Sequence, residues 1–143
     1  SGHREWQAFR AMPPIPPEDV GLVCRLLVMQ LLPALLERDI EAFGQALTEI
    51  QWTIGKQFAP IQGGLYSHPA AEGIVRLLLN AGATGAGQSS WGPTLYGVVE
   101  CRALGEEIQQ ELKTYLKQIE VPAKVRCLSP RNQGASVTGE KDD

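Results

Sequence analysis

Apolar residues in this chain recur mostly at three- and four-residue steps, the period that places them on one face of an α-helix. Ile40, Phe43, Leu47, Ile50, Ile54 and Phe58 form one such stripe, with Asp39 ahead of it as N-cap. Leu104, Ile108, Leu112, Tyr115 and Ile119 form another, in a helix predicted from about Arg102 to Glu120 and ended by Val121-Pro122. Upstream, Val20 to Leu36 is almost continuously apolar. Pro17 suits a first helical turn and Glu18 and Asp19 complement its dipole, so a helix is predicted from there to about Arg38, kinked near Pro33. The short link at Asp39 makes these two helices an antiparallel hairpin. Met12 to Pro17 carries too many prolines for a helix and reads as extended. A further helix starts at Ser67-His68-Pro69, with Ile74, Val75, Leu77 and Leu78 on its apolar side.

Only two stretches read as strands: Thr94 to Val99, and Lys124-Val125-Arg126-Cys127-Leu128, where polar and apolar residues alternate. Loops are predicted from Ala59 to Ser67 and from Gly82 to Thr94. Hydrophobicity falls away from Ser129, and Gly139 to Asp143 read as a disordered tail.

A length of 143 residues and 43% hydrophobic composition fit one compact domain. The net charge of −3, with basic residues scattered, gives no electrostatic basis for binding nucleic acid. Cys24, Cys101 and Cys127 lack metal-type spacing and read as small buried residues in a reducing, cytoplasmic setting. No secretory signal pattern is visible. Arg25, Gln30 and Pro33 interrupt the segment 20–36, which reads as a core helix in place of a membrane span. The chain starts at Ser1 in what reads as mid-domain sequence, so a fragment is expected.

The chemistry concentrates between Gly82 and Thr94. Gly82, Gly85, Gly87 and Gly92 alternate with Thr84, Gln88, Ser89 and Ser90, so this backbone can approach a ligand closely and its amides can line an anion-binding concavity. The order is helix, loop, strand, the reverse of a phosphate loop, and a helix C-terminus would not assist an anion. Gln88, Ser89 and Ser90 offer hydrogen bonds to a phosphate, ribose or carboxylate, or else serve the loop's own backbone. Trp91 would stack on an aromatic substrate or pack in the core. Gln62, Gly63 and Gly64, followed by Tyr66 and Ser67, form a second glycine-bearing loop. If the two loops converge they make a polar wall of a cleft. His68 suits a helix cap or a solvent-exposed position better than an acid or base, and His3 could belong to the missing cleft. Glu106, Glu107 and Glu111 read as a solvated helix face. No catalytic triad and no clustered metal ligands are legible.

Thr84-Gly85-Ala86-Gly87 resembles the third motif of the GHMP kinase superfamily. The longer string from Gly82 through Gln88-Ser89-Ser90-Trp91-Gly92-Pro93-Thr94, with Tyr96-Gly97, resembles the beta-ribofuranosylaminobenzene 5'-phosphate synthase branch. Phe58 to Ser67 and Ser1 to Phe9 are similar to that branch as well. The resemblance implies an α+β fold, an incomplete GHMP-type C-terminal domain of the split βαβ, ferredoxin-like sandwich type, helix-rich with few strands. It would cover 1–138, with the N-terminal catalytic half absent and the fragment inactive alone. It implies a synthase that condenses phosphoribosyl pyrophosphate with a 4-substituted benzoate, releasing pyrophosphate and carbon dioxide, in methanopterin-type cofactor biosynthesis for one-carbon metabolism. Mg2+ would accompany the pyrophosphate. Gly85, Ala86, Gly87, Gln88, Ser89 and Ser90, with Gln62, Gly63 and Gly64, would bind substrate, and the catalytic residues stay unassigned. An ATP-dependent small-molecule kinase and a non-catalytic ligand-binding or dimerisation module are the alternatives. Partners are small-molecule substrates, with neither nucleic acid nor membrane. A leading strand lying upstream would leave an edge or apolar face open, so a homodimer or higher homo-oligomer is expected.

Overall fold

A computed structural model describes residues 9–10 and 12–136, so His3 and the tail at 139–143 lie outside the described residues. Helix α1, Pro17–Leu26, begins with Pro17 in its first turn, where a missing N–H costs nothing, and with Glu18 and Asp19 against the positive end of the dipole. The irregularity expected near Pro33 is a widened π-helical turn, Leu27–Leu31, after which the helix resumes as α2, Leu32–Glu37. Pro33 cannot donate to the carbonyl four residues back and its ring crowds it, and a wider turn just upstream relieves both. Arg38 ends the helix in the left-handed conformation.

Asp39 then caps α3, Ile40–Gln62, with Oδ1 accepting from the Ala42 N–H at 2.9 Å. Helix α3 runs through Pro60, so the loop predicted from Ala59 begins only at Gly63, whose positive φ of 85° ends the helix. A proline in the last turns removes one backbone bond, and packing of the neighbouring turns outweighs that loss. Helix α4, Ala71–Asn80, starts later than Ser67. The intervening turn is closed by His68, an exposed residue whose Nδ1 accepts from the Ala70 N–H at 3.1 Å, while the helix start at Ala70 carries no side-chain cap.

The glycine-rich segment is no loop at its centre. Gly85–Gln88 forms strand β1, antiparallel to β2, Leu95–Val98, with Gly85 opposite Val98 and Gln88 opposite Leu95. A hairpin turn joins them, with the Ser89 N–H bonded to the Thr94 carbonyl at 2.9 Å. Helix α5, Arg102–Gln118, follows. The strand predicted at 124–128 pairs with nothing among the described residues. That segment is held on α5, where Gln109 Nε2 donates to the Val125 carbonyl at 2.9 Å, and Val125 packs against the core.

The architecture is α+β, helix-rich with one two-stranded sheet among the described residues. The core lies between α4, α5 and the sheet, built from Tyr66, Val75, Leu78, Ala86, Ile108 and Leu112 with smaller neighbours. Helix α3 packs against β1 on one side and against α1 and α2 on the other. The reading of 20–36 as a core helix does not hold. Leu26 and Ala34 are buried, but Val28, Met29, Leu35 and Leu36 are exposed, Leu36 at 83%. By length and composition the helix Pro17–Glu37 could cross a membrane, while one side of it rests on α3. The three cysteines are free thiols, and Cys24 and Cys101 are exposed where burial was expected.

Candidate functional site

The site grows from a stripe on α3. Gly44, Thr48, Gln51 and Gly55 fall at four-, three- and four-residue steps, so they share one face. That face meets β1 and the segment after α3. A Cβ at Gly44 would overlap the backbone of Thr84, and one at Gly85 would overlap the backbone of Gly44, so helix and strand touch main chain to main chain. One turn on, Thr48 Oγ1 donates to the Gly44 carbonyl at 2.9 Å. It also accepts from the Ala86 N–H at 3.0 Å. That amide faces away from β2 in this register and has no ladder partner. At Gly87 a Cβ would lie 2.7 Å from Gln51 Cγ and 2.8 Å from Tyr96 Oη. The close approach that Gly85 and Gly87 allow is therefore to α3 and Tyr96.

Gln88 joins the two glycine-bearing segments. Its side chain is 5% exposed. Oε1 accepts from the Ser67 N–H at 2.8 Å and from Ser67 Oγ at 3.0 Å. Nε2 donates to the Ser90 carbonyl at 3.0 Å and reaches Gln62 Oε1 at 3.5 Å. Gln62 Nε2 in turn donates to the Leu65 carbonyl at 2.9 Å. The two segments do converge, and one buried carboxamide joins them.

These groups line a partly open cavity of about 60 Å³. Gln51, Gln62, Tyr66, Gln88 and Ser90 supply its polar lining, and Leu65, Phe58 and Trp91 supply apolar walls. Of the residues expected to bind substrate, the structure thus brings Gln62, Gln88 and Ser90 together. Gly85, Ala86 and Gly87 lie in β1 and are buried, while Gly63, Gly64 and Ser89 stand outside the lining. Trp91 packs edge-to-face on Phe58 with centroids 4.8 Å apart and on Phe9 at 5.5 Å, a packing role as well as a wall. Gln51 was not singled out from the sequence. The small and polar stripe on α3 is the signal that marks it.

No cationic or carboxylate side chain lines the cavity. Burial raises the Tyr66 phenol above the ordinary tyrosine value; the Trp52 indole opposes the shift without reaching hydrogen-bond geometry, and Glu72 adds to it. Burial pushes Tyr96 up to about 12, with Tyr66 adding to the effect. Both phenols are neutral hydrogen-bonding groups at neutral pH. Carboxamides and hydroxyls without a carboxylate do not fit Mg2+ as a protein-held ion. Among the described residues no three His, Cys, Asp or Glu side chains stand together. Glu106, Glu107 and Glu111 lie on the exposed face of α5, where Glu106 pairs with Arg102 at 3.5 Å.

Residues 31–118 match the family described as GHMP kinases C terminal. The beta-ribofuranosylphenol 5'-phosphate synthase of Methanothermobacter thermautotrophicus is 36% identical over 135 residues, covering 94% of this chain and 38% of that protein. The protein of the same name from Archaeoglobus fulgidus is 32% identical over 136 residues, 95% of this chain and 40% of its own length. That from Methanocaldococcus jannaschii is 28% identical over 116 residues, 80% of this chain and 33% of its own. The chain therefore spans about two fifths of the length of the first two relatives. No solved structure gives a significant match.

Proposed function

Because the chain belongs to the family of GHMP kinase C-terminal domains, we propose that it is the C-terminal part of a synthase of the kind for which its relatives are named. The reaction is condensation of phosphoribosyl pyrophosphate with a 4-substituted benzoate. The bond from the anomeric carbon to pyrophosphate breaks, leaving oxocarbenium character, and the ring carbon bearing the carboxylate forms the new carbon–carbon bond. Carbon dioxide then departs, its bonding electrons restoring the aromatic ring. Pyrophosphate and carbon dioxide are the two leaving products, and a C-riboside 5'-phosphate remains for methanopterin-type cofactor synthesis. Such a site holds its substrates and excludes water from a reactive cation.

The observation that carries the reading is the cavity closed by Gln88, inside the segment 82–94 and within the residues matching the family. Its uncharged lining suits the aromatic partner better than the pyrophosphate, and the magnesium ion belongs with pyrophosphate as part of that substrate. Gly85, Ala86 and Gly87 act by shaping β1 beneath Gln88, and Gln62 and Ser90 face the cavity. The protein works in the cytoplasm as a homo-oligomer, with small molecules and neither nucleic acid nor a membrane as its partners. The test is a product assay on the full-length polypeptide carrying these residues, with phosphoribosyl pyrophosphate and 4-hydroxybenzoate or 4-aminobenzoate. The reading requires carbon dioxide and pyrophosphate in equal amounts. ATP-dependent phosphorylation in the control arm, without that release, would replace it with a kinase.

A further inference from the structure

Gly21, Cys24, Val28, Leu32 and Leu35 are all exposed, and they follow one another at three-, four-, four- and three-residue steps. They therefore form one seam along the outer side of the α1–α2 rod, away from the buried Leu26 and Ala34. Met29 and Leu36 widen it, at 72% and 83% exposure. The exposed apolar side chains from Val20 to Leu36 together present roughly 700 Å², close to what each partner of a standard interface buries. A patch of that size exceeds the largest one on a typical soluble monomer.

The seam is symmetric about Val28. Gly21 and Leu35 stand at equal distances along the chain on either side of it, and so do Cys24 and Leu32. A two-fold axis through Val28 sets an antiparallel second copy with Gly21 against Leu35 and Cys24 against Leu32, small against large at each step. Nothing lies within 4 Å of a methyl built on Gly21, so there is room for the leucine. A parallel copy would crowd leucine on leucine at one end and leave a gap at the other. The charges agree. About the same axis the exposed Glu18 meets Arg38, and the helix dipoles of the two copies run opposed. Asp19, which would face Glu37, is held within its own chain, its Oδ2 accepting from Gln57 Nε2. A lipid surface is the other fit for so apolar a helix, and it favours a basic rim. Here Glu18, Glu37, Asp39 and Glu41 outnumber Arg25 and Arg38. We propose that this face is covered by a second copy of the chain, packed antiparallel about a two-fold axis at Val28. The interface is independent of the reaction, and gives the homo-oligomer its contact.

The test is cross-linking from single cysteines in the 143-residue chain, with Cys24, Cys101 and Cys127 replaced by serine. Sedimentation of this background should show twice the mass of one chain. Val28→Cys lies on the axis, and a short bismaleimide should join it to its own copy. Leu35→Cys should not be joined to its own copy, because the helical rise sets the two about 20 Å apart in an antiparallel pair. Mixed Gly21→Cys and Leu35→Cys chains should be joined to each other. Product from Leu35→Cys alone, equal product at every site, or none at Val28→Cys would overturn the antiparallel arrangement. A monomer in the unsubstituted chain would overturn the proposal outright, as would recovery of the chain on phosphatidylcholine vesicles in place of a dimer. The same pattern should hold in the full-length polypeptide carrying these residues. Its loss there, with the 143-residue chain still paired, would assign the face to upstream residues and overturn the second copy as its partner.

Discussion

Gln88 shows how much one side chain can hold in this molecule. It satisfies the Ser67 amide and hydroxyl with one end and the Ser90 carbonyl with the other, from a buried position beneath two exposed serines. Gln88→Leu keeps the bulk and strands those groups, so the unfolding free energy should fall by about 1–3 kcal/mol in chemical denaturation. A change below the error of the measurement would mean that water replaces the carboxamide. The glycines divide by their surroundings. Gly85→Ala forces a methyl into the α3 backbone and should cost about 1–3 kcal/mol. Gly21→Ala has open space in the middle of α1 and should stabilise by about 0.5–1 kcal/mol. Paired melting curves would show the opposite signs, and equal shifts would contradict the packing account. Tyr96 gives the chain a response to alkali. Its phenol is pushed from the ordinary 10.0 to about 12 by burial. The unfolded chain therefore releases this proton first, and stability intact below pH 10 is lost as pH rises toward 12. The denaturation midpoint should decline across that window, and Tyr96→Phe should flatten the Tyr96 share of the decline.

At the scale of elements, Thr48 fastens α3 to β1 by taking up a strand amide that the ladder leaves over. Thr48→Val preserves shape and orphans the Ala86 N–H, an expected loss of about 1–3 kcal/mol that Thr48→Ser should largely restore. Hydrogen exchange at Ala86 would accelerate in the valine variant and stay slow in the serine one. The helices were legible because their apolar residues repeat with a helical period and because Asp39 and Pro17 mark starts with a local mechanism. Strand β1 was not. Gly-Ala-Gly-Gln has no alternation to read, and its strand character comes from β2 and from the α3 face, both distant in sequence. The reverse error at 124–128 has the same origin. The alternating pattern is real, yet a strand needs a neighbour, and the segment rests instead on α5 through Gln109. The helix through Pro60 reflects tertiary packing overriding a local breaker. At the site, the polar candidates Gln62, Gln88 and Ser90 were legible, whereas their meeting with Tyr66 and Gln51 depends on where α3 crosses the sheet.

For the whole molecule, the α1–α2 rod leaves Val28, Met29, Leu35 and Leu36 exposed beside one another along its outer side. Contiguous apolar surface of this kind drives association in water. Sedimentation at about 100 μM, above the micromolar range in which such surfaces act, should therefore show a mass above that of one chain. Met29→Glu with Leu36→Lys should return it to the monomer without altering helical content. A monomer in the unsubstituted protein would end the idea. The contact of Gly44 with Gly85 reaches beyond stability, to how this lineage can diverge. A methyl at Gly44 would meet the Thr84 main chain and one at Gly85 would meet the main chain of Gly44, so no side-chain change at a partner position makes room for either. Both are then frozen together for as long as α3 crosses β1 at that point. Homologous chains would drift around this crossing and keep a pair of glycines 41 residues apart. A descendant in which either has changed would have moved the helix off the strand, and with it the floor beneath Gln88.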